Sequence, residues 1–306
     1  MTARQTFRST SRQGLAMTQF PMRLWRKAKR LGIWNPEDID LTQDAKDWQG
    51  LDAQEQDVIL RLSTLFQAGE ESVTLDLLPL IHTIAEEGRL EEEMYLTSFL
   101  WEEAKHVELF HRFLREVVAA EEDLSHYFTP SYRTVFCEAL PQALQRLRTD
   151  PSPAAQAEAS VTYNMIVEGV LAETGYYAYH QMLVRNGLMP GMQQAVAHLR
   201  GDESRHMAYG VFLLSRLVAE HGEPLWRVIE DRLNTLLPPA VGVIQELFAI
   251  YDPMPFGLRL DDFLGYAMGQ FEKRSRRIER ARQQSLDEVL HLGSPADPDE
   301  IEGAEA

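Results

Sequence analysis

The sequence predicts an all-α fold, a helical bundle carrying a dimetal site in its core. One pattern occurs twice: Glu70 is followed by Glu103-Ala104-Lys105-His106, and Glu168 by Glu203-Ser204-Arg205-His206. Lone and paired carboxylates are separated by 33 residues in the first copy (70 to 103) and 35 in the second (168 to 203), the length of a long helix, a turn and the return. No strand-period alternation of useful length interrupts the helical patterning.

A Glu and a His three apart on a helix share a face, with Cβ atoms roughly 5–6 Å apart, and can grip one cation together. Two such pairs and two lone Glu residues make the ligand set of two metals: Glu70, Glu103 and His106 for one, Glu168, Glu203 and His206 for the other, with some carboxylates bridging. Desolvated charge is stable only when paired or coordinated, and two divalent cations would cancel four negative charges. The repeat carries the specificity, because Glu108-Leu109-Phe110-His111 and Glu288-Val289-Leu290-His291 have the short motif too. Glu108 lies about 140° around the helix from Glu103, and Glu288 sits in a polar tail; both read as surface residues.

Trp34-Asn35-Pro36-Glu37-Asp38-Ile39-Asp40 reads as an extended lead-in, since Pro36 disfavours helix at Asn35. Asp52 with Glu55 three residues on is a capping-box-like start, and Leu60, Leu62, Leu65, Phe66 and Val73 give that helix an apolar face up to Pro79. After a turn at Gly88, residues 89–119 repeat apolar residues at helical period around Glu103 and His106. A shorter helix is expected over 131–147. Pro151 and Pro153 open a long one from about 154 to 185, closed by Asn186-Gly187. The next runs from near Pro190 to His221-Gly222. Pro238-Pro239 is expected to interrupt a further helical region, and residues 256–282 are expected to form the last helix.

Metal ligands spread from position 70 to 206 require helices packed around one centre, so one domain over 21–283 is expected. A flexible segment (1–20) would precede it and a disordered acidic tail (284–306) would follow. The net charge of −17, without a long basic run, argues against nucleic acid. Cys137 is the only cysteine, which excludes an internal disulfide framework and fits a reducing compartment, expected to be the cytoplasm. Carboxylate and imidazole ligands suit iron or manganese. No stretch approaches the length of a membrane span. The first acidic residue is Glu37, and the Arg-, Ser- and Thr-containing stretch before it has the character of a transit peptide, although from Phe20 onward the residues look like part of the fold.

With two lone Glu and two Glu-x-x-His pairs in this order, residues 34–209 resemble the ferritin-like carboxylate dimetal proteins, specifically the ribonucleotide reductase small-subunit superfamily. Trp34 to Leu41 looks like the segment that opens those subunits, and Asp202 before Glu203 matches their pattern. The resemblance implies a radical-transfer path through Trp34, Asp202 and His106, with Asp202 able to orient His106. Two departures argue against ordinary reductase activity. Phe110 stands four after His106, where many small subunits keep a radical tyrosine, and no Phe, Tyr or Trp follows Phe271 to relay a radical from the tail.

What remains resembles the ligand-binding oxidases of that superfamily, and Gly69-Glu70-Glu71-Ser72-Val73 looks like their first ligand segment. That resemblance implies one manganese and one iron ion, or two irons, with manganese in the first site. It also implies a bound long-chain fatty acid, dioxygen as oxidant, a homodimer, and an ether cross-link between Val73 Cβ and the Tyr163 oxygen. Small residues beside the ligands, Gly69 and Ala172, would leave space for the acyl chain. The electron donor and physiological substrate are open. A tyrosine-less reductase small subunit is the second reading and a metal-storage or carrier protein the third.

Overall fold

In a computed structural model, residues 6–291 are described, and among them there are helices and no strands. The helices that carry the repeated motif pair as the spacing requires. Helix α1 is Phe20–Leu31 and α2 is Thr42–Gly50. Helix α3, Ala53–Asp76, opens with the anticipated capping box: the Asp52 side chain accepts from the backbone of Glu55, and the Glu55 carboxylate accepts from Asp52 N–H at 3.0 Å. Helix α4 is Leu78–Glu86, with Pro79 near its start, so the chain turns there and continues helical.

Helix α5, Leu90–Arg112, carries Glu91, Glu92 and Glu93 in its first turn and His111 and Arg112 in its last, both complementing the helix dipole. A π-turn over Phe113–Val117 extends it. Residues 130–146 form α6, widened by π-turns over Arg133–Ala139. Residues 153–184 form α7, in which Val161–Ala172 is a π-helix around Glu168. Such widened turns are rare and cluster at functional sites. Helix α8 is Pro190–His221, ended by Gly222 at φ 69°.

Two short elements that periodicity missed position the long ones. Asp44 of α2 accepts from Gly191 N–H at 2.9 Å and Met192 N–H at 2.6 Å, so it caps α8 from another helix. Lys105 on α5 donates to the Gly32 carbonyl at 2.7 Å, tying the end of α1 to the motif helix.

Three sequence expectations need correction. Pro238 and Pro239 do not interrupt a helix: α9 runs unbroken over Glu223–Phe248. The carbonyls their missing N–H groups would have met belong to Asn234 and Thr235, which are exposed and open to water, while buried Leu233, Leu236, Ala240 and Val243 hold the helix down. The helix expected over 256–282 is shorter, with α10 spanning Leu260–Arg280 after a tight turn at Phe256 (φ 57°). Nor is it the last: α11, Leu286–His291, buries Val289 against α8, so the expected disordered tail begins too early at 284. The apolar Leu286, Val289 and Leu290 explain why. Residues 292–306, the rest of that expected tail, and 1–5 lie outside the described residues.

The described residues before α1, 6–19, are also tied down, unlike the flexible stretch expected over 1–20. Arg8 makes two 2.9 Å hydrogen bonds to Glu91, whose carboxylate also accepts from Ala16 N–H at 2.7 Å. Among the described residues no helix is long and apolar enough to cross a membrane.

Candidate metal centre

Glu70 comes from α3, Glu103 and His106 from α5, Glu168 from the π-helical stretch of α7, and Glu203 and His206 from α8; all six are buried. Their ligand atoms form two overlapping groups, Glu70, Glu103, His106 and Glu203 in one, and Glu103, Glu168, Glu203 and His206 in the other, each within 4.8 Å. Glu103 and Glu203 belong to both groups and lie between the two positions. The expectation put Glu103 with one metal and Glu203 with the other, some carboxylates bridging; Glu103 and Glu203 are the two carboxylates common to both groups.

Both imidazoles turn Nδ1 inward. His106 Nδ1 lies 3.4 Å from Glu70, 3.6 Å from Glu103 and 3.5 Å from Glu203. His206 Nδ1 lies 3.0 Å from Glu103 and 3.6 Å from both Glu168 and Glu203. The outer nitrogens face buried carboxylates: His106 Nε2 is 3.2 Å from Asp202, and His206 Nε2 is 2.9 Å from Glu102. An Nε2–H donated outward leaves the Nδ1 lone pair facing the centre, as in the carboxylate–histidine–metal arrangement.

The centre fits two cations. Both Nδ1 atoms, Glu103 Oε2, Glu168 Oε1 and Glu203 Oε2 are buried without hydrogen-bond partners, and all converge on it. Burial pushes the Glu70 carboxyl up to about 8 against its contacts with His106. Burial and neighbouring carboxylates raise Glu168 and Glu203. Burial would raise Glu103 as well, but contacts from both imidazoles overcome it and hold that carboxyl low. Both histidines are raised despite burial, by Asp202, Glu103 and Glu70 at His106 and by Glu102, Glu103 and Glu203 at His206. A cluster that must share protons to stay buried is one that divalent cations would neutralise.

Glu102 and Arg205 were not singled out from the sequence, although a signal was there. Each motif has an acid before its Glu and a base before its His: Glu102-Glu103-x-Lys105-His106 and Asp202-Glu203-x-Arg205-His206. The structure uses these residues crosswise. The first motif's acid holds the second motif's His, and the converse; Lys105 reaches Asp202 at 3.1 Å, while Arg205 reaches Glu102 at 2.7 Å and also contacts Asp202. Gly32 is required beside them, because a Cβ there would overlap the Glu102 carboxylate. Asn164, whose side-chain amide donates to Glu168 at 2.9 Å, and Tyr176, 3.4 Å from Glu203, were missed as well. A single polar residue in an apolar helix carries no distinguishing spacing.

Trp34 donates its indole N–H to Asp202 at 2.8 Å, and its ring stacks over His106 with centroids 6.2 Å apart. Tyr163 donates its hydroxyl to Glu103 at 2.8 Å. Val73 is buried on α3, and Phe110 is buried and stacks on Phe66 at 5.0 Å. Glu108 and Glu288 are exposed, as read from the sequence.

An apolar cavity runs from Glu70, Glu103, Glu168 and Glu203 to the surface between α3, α9, α10 and the 254–258 turn. Val73, Tyr163, Gly69 and Ala172 all line it. Its carboxylates are confined to the inner end, and Leu62, Leu247, Phe248, Met254 and Leu258 surround the outer part. Gly175 on its wall leaves room for the Phe66 ring, which a Cβ would strike.

The family described as "Ribonucleotide reductase, small chain" matches residues 21–266. Among solved structures, the chain is similar to "R2-like ligand-binding oxidase with aerobically reconstituted Mn/Fe cofactor", at 38% identity and TM-score 0.85 over 90% of this chain and 98% of that one. Variants of such an oxidase match comparably. One with an aerobically reconstituted Mn/Fe cofactor gives 38% identity and TM-score 0.85 over 89% and 98%. One reconstituted anaerobically gives 38% and 0.83 over 90% and 98%.

Proposed function

The chain belongs to the ribonucleotide reductase small-chain family, in its branch of R2-like ligand-binding oxidases, and from that membership we propose a dioxygen-dependent dimetal oxidase that binds a long-chain fatty acid at its metals. The observation that carries the ligand is the cavity: its wall is apolar along its length and ends on carboxylates that two cations would neutralise. An acyl chain would lie along Leu171, Ala172 and Met182, and its carboxylate would complete the coordination.

Glu70, Glu103, His106 and Glu203 would hold one ion and Glu103, Glu168, Glu203 and His206 the other, each histidine through Nδ1. One manganese with one iron fits this oxygen and nitrogen donor set, as two irons do. When bound, the pair supplies two-electron oxidation of C–H bonds by dioxygen. The rest is done by the chain. Buried walls exclude water. Tyr163 is kept a phenol because burial and the Glu103, Glu168 and Glu203 charges raise its pKa, and its hydrogen bond to Glu103 aims its oxygen inward. Val73 offers a tertiary C–H on the same cavity wall. Ether formation breaks the Val73 Cβ–H and Tyr163 O–H bonds, forms Cβ–O, and passes two protons and two electrons to dioxygen.

Peptide mass spectrometry after loading with reduced metals tests this reading. A Val73 peptide joined to a Tyr163 peptide, lighter by two hydrogens and formed only after air, is the expected result. Oxygen consumption with the peptides still separate would instead favour a tyrosine-less reductase small subunit, for which the Trp34–Asp202–His106 chain is the supporting observation. Co-purification with a large subunit would then be sought. A homodimer in the cytoplasm completes the proposal, and sedimentation at micromolar concentration tests the dimer.

A further inference from the structure

The amphiphile of the oxidase reading has to reach carboxylates at the inner end of a cavity whose outer part is apolar. Three walls of the cavity mouth are long helices packed on the helices that carry the ligands: α3 against α5, and both α9 and α10 against the π-helical stretch of α7. The fourth is the link from α9 to α10, residues 249–259, which gives Met254 and Leu258 to the cavity. It is the one wall that can move without taking the bundle apart.

The link itself is lightly held. Of its residues Pro255 alone is buried. Phe256 and Gly257 both take a left-handed backbone, φ 57° and 65°, a conformation that is unfavourable for a residue with a Cβ and easy for glycine. A strained residue keeps such a conformation only where its surroundings impose it, so the closed link depends on contacts made elsewhere along it. Few buried contacts beside a strained turn describe a segment that opens at small cost.

The contacts that hold it are polar and lie at the rim. The Tyr251 hydroxyl donates to Asp57 on α3 and accepts from Arg61 Nε at 3.4 Å. Asp57 also accepts from the Tyr127 hydroxyl at 3.3 Å and pairs with Arg61 at 3.2 Å, while the Arg61 guanidinium lies 4.3 Å from the centre of the Tyr127 ring. Burial and the Asp57 carboxylate push the Tyr251 phenol up, so it stays a donor. Asp57 and Arg61 directly precede Val58 and Leu62, which line the cavity, so a single carboxylate joins the link to the edge of the mouth. The bond is charge-assisted, yet Asp57, Arg61 and Tyr251 are all half-buried, and water can replace each contact when the link lifts.

We propose that residues 249–259 are a lid over the cavity mouth, latched to α3 by the Tyr251 hydroxyl on Asp57, and that lifting it sets the rate at which an amphiphile enters and leaves. Closed, the lid keeps water from the apolar wall and from the centre; open, it admits the chain. This rests on the oxidase reading, in which an amphiphile occupies the cavity, and names how that ligand is exchanged.

The test follows cis-parinaric acid, a long-chain fatty acid that fluoresces when shielded from water, into and out of the full metal-loaded chain by anaerobic stopped flow. Tyr251→Phe keeps the ring and removes the hydroxyl; Asp57→Ala removes the acceptor. In both variants entry and release are expected to speed up together, by about fivefold or more, with affinity changed by less than about twofold, because the latch favours the closed lid whether the cavity is filled or empty. Metal content equal to the parent's is expected in Tyr251→Phe and reports an intact fold. Unchanged rates in both variants would overturn the lid. So would faster release with unchanged entry, the result for a residue that is merely part of the binding wall. If parinaric acid does not bind the parent, or palmitic acid does not displace it, the fatty-acid reading itself fails, an outcome distinct from either.

Discussion

The crosswise use of the two motifs makes Glu102 and Asp202 equivalent in position and unequal in surroundings. Asp202 is shared among His106, Trp34, Lys105 and Arg205, whereas Glu102 serves His206 and Arg205. Replacing Glu102 with Gln removes the charge that orients His206, and metal affinity on that side is expected to fall about 10–100-fold, the usual effect of losing such a partner. Competitive chelation read by elemental analysis checks this; unchanged affinity would make the contact incidental. A second expectation concerns Gly32. A methyl group there would displace the Glu102 carboxylate, so Gly32→Ala should reproduce the metal loss of Glu102→Gln without touching a charged residue.

At the scale of the helix, the motif depends on ends that lie far from it. Helix α8 begins at Met189, which has a left-handed backbone (φ 53°), and no side chain of its own caps it; Asp44 supplies the cap from α2. Asp44→Ala is expected to cost about 1–2 kcal/mol, the range for a lost N-cap, read as a lower urea midpoint of the apo-protein with unchanged slope. The π-helical stretch of α7 has a comparable outside support. Arg274, buried on α10, donates to the Gly169 carbonyl beside Glu168, and lies 3.7 Å from Glu173. Capping residues within a helix can be read from spacing, as Asp52 and Glu55 were. A cap contributed from another helix cannot, because nothing in the local sequence marks Asp44 as the partner of Gly191.

For the whole molecule, the buried cluster couples stability to pH and to metal. The raised Glu70 carboxyl, with ordinary value 4.5 and folded value about 8, contributes stability that is complete below 4.5 and lost as pH rises toward 8. Glu168, Glu203 and both histidines shift the same way, whereas Glu103 and Asp202 are held low and so affect stability only in the acid range below their ordinary values. The apo-protein should therefore melt at lower temperature at pH 8 than at pH 6, and added manganese and iron should raise its melting temperature more at pH 8. Calorimetry of chelator-treated and reloaded protein checks this; a metal effect equal at both pH values would contradict it. The cavity gives a further expectation. Ala172→Trp fills the channel beside the centre, so solvent extraction should recover less fatty acid than from the parent, with metal content retained.

The sequence by itself determined the helical class, the six candidate ligands and the pairing of the helices that carry them, because a repeated Glu-x-x-His with matched spacing is a local geometric statement that only an antiparallel helix pair around one centre satisfies. The resemblance to a family segment also named Trp34 and Asp202, which the fold brings within 2.8 Å of each other. Tertiary structure alone decided which carboxylates lie between the two positions, that each histidine is oriented by the opposite motif, that α9 passes unbroken through two prolines, and that the chain after 283 folds back to bury Val289. Each of these depends on what another helix presents at the point of contact: an exposed carbonyl free to meet water, a buried acid reaching across the core, or an apolar face waiting to be covered. Such information is absent from spacing along the chain, since it arises only where residues distant in sequence exclude water together.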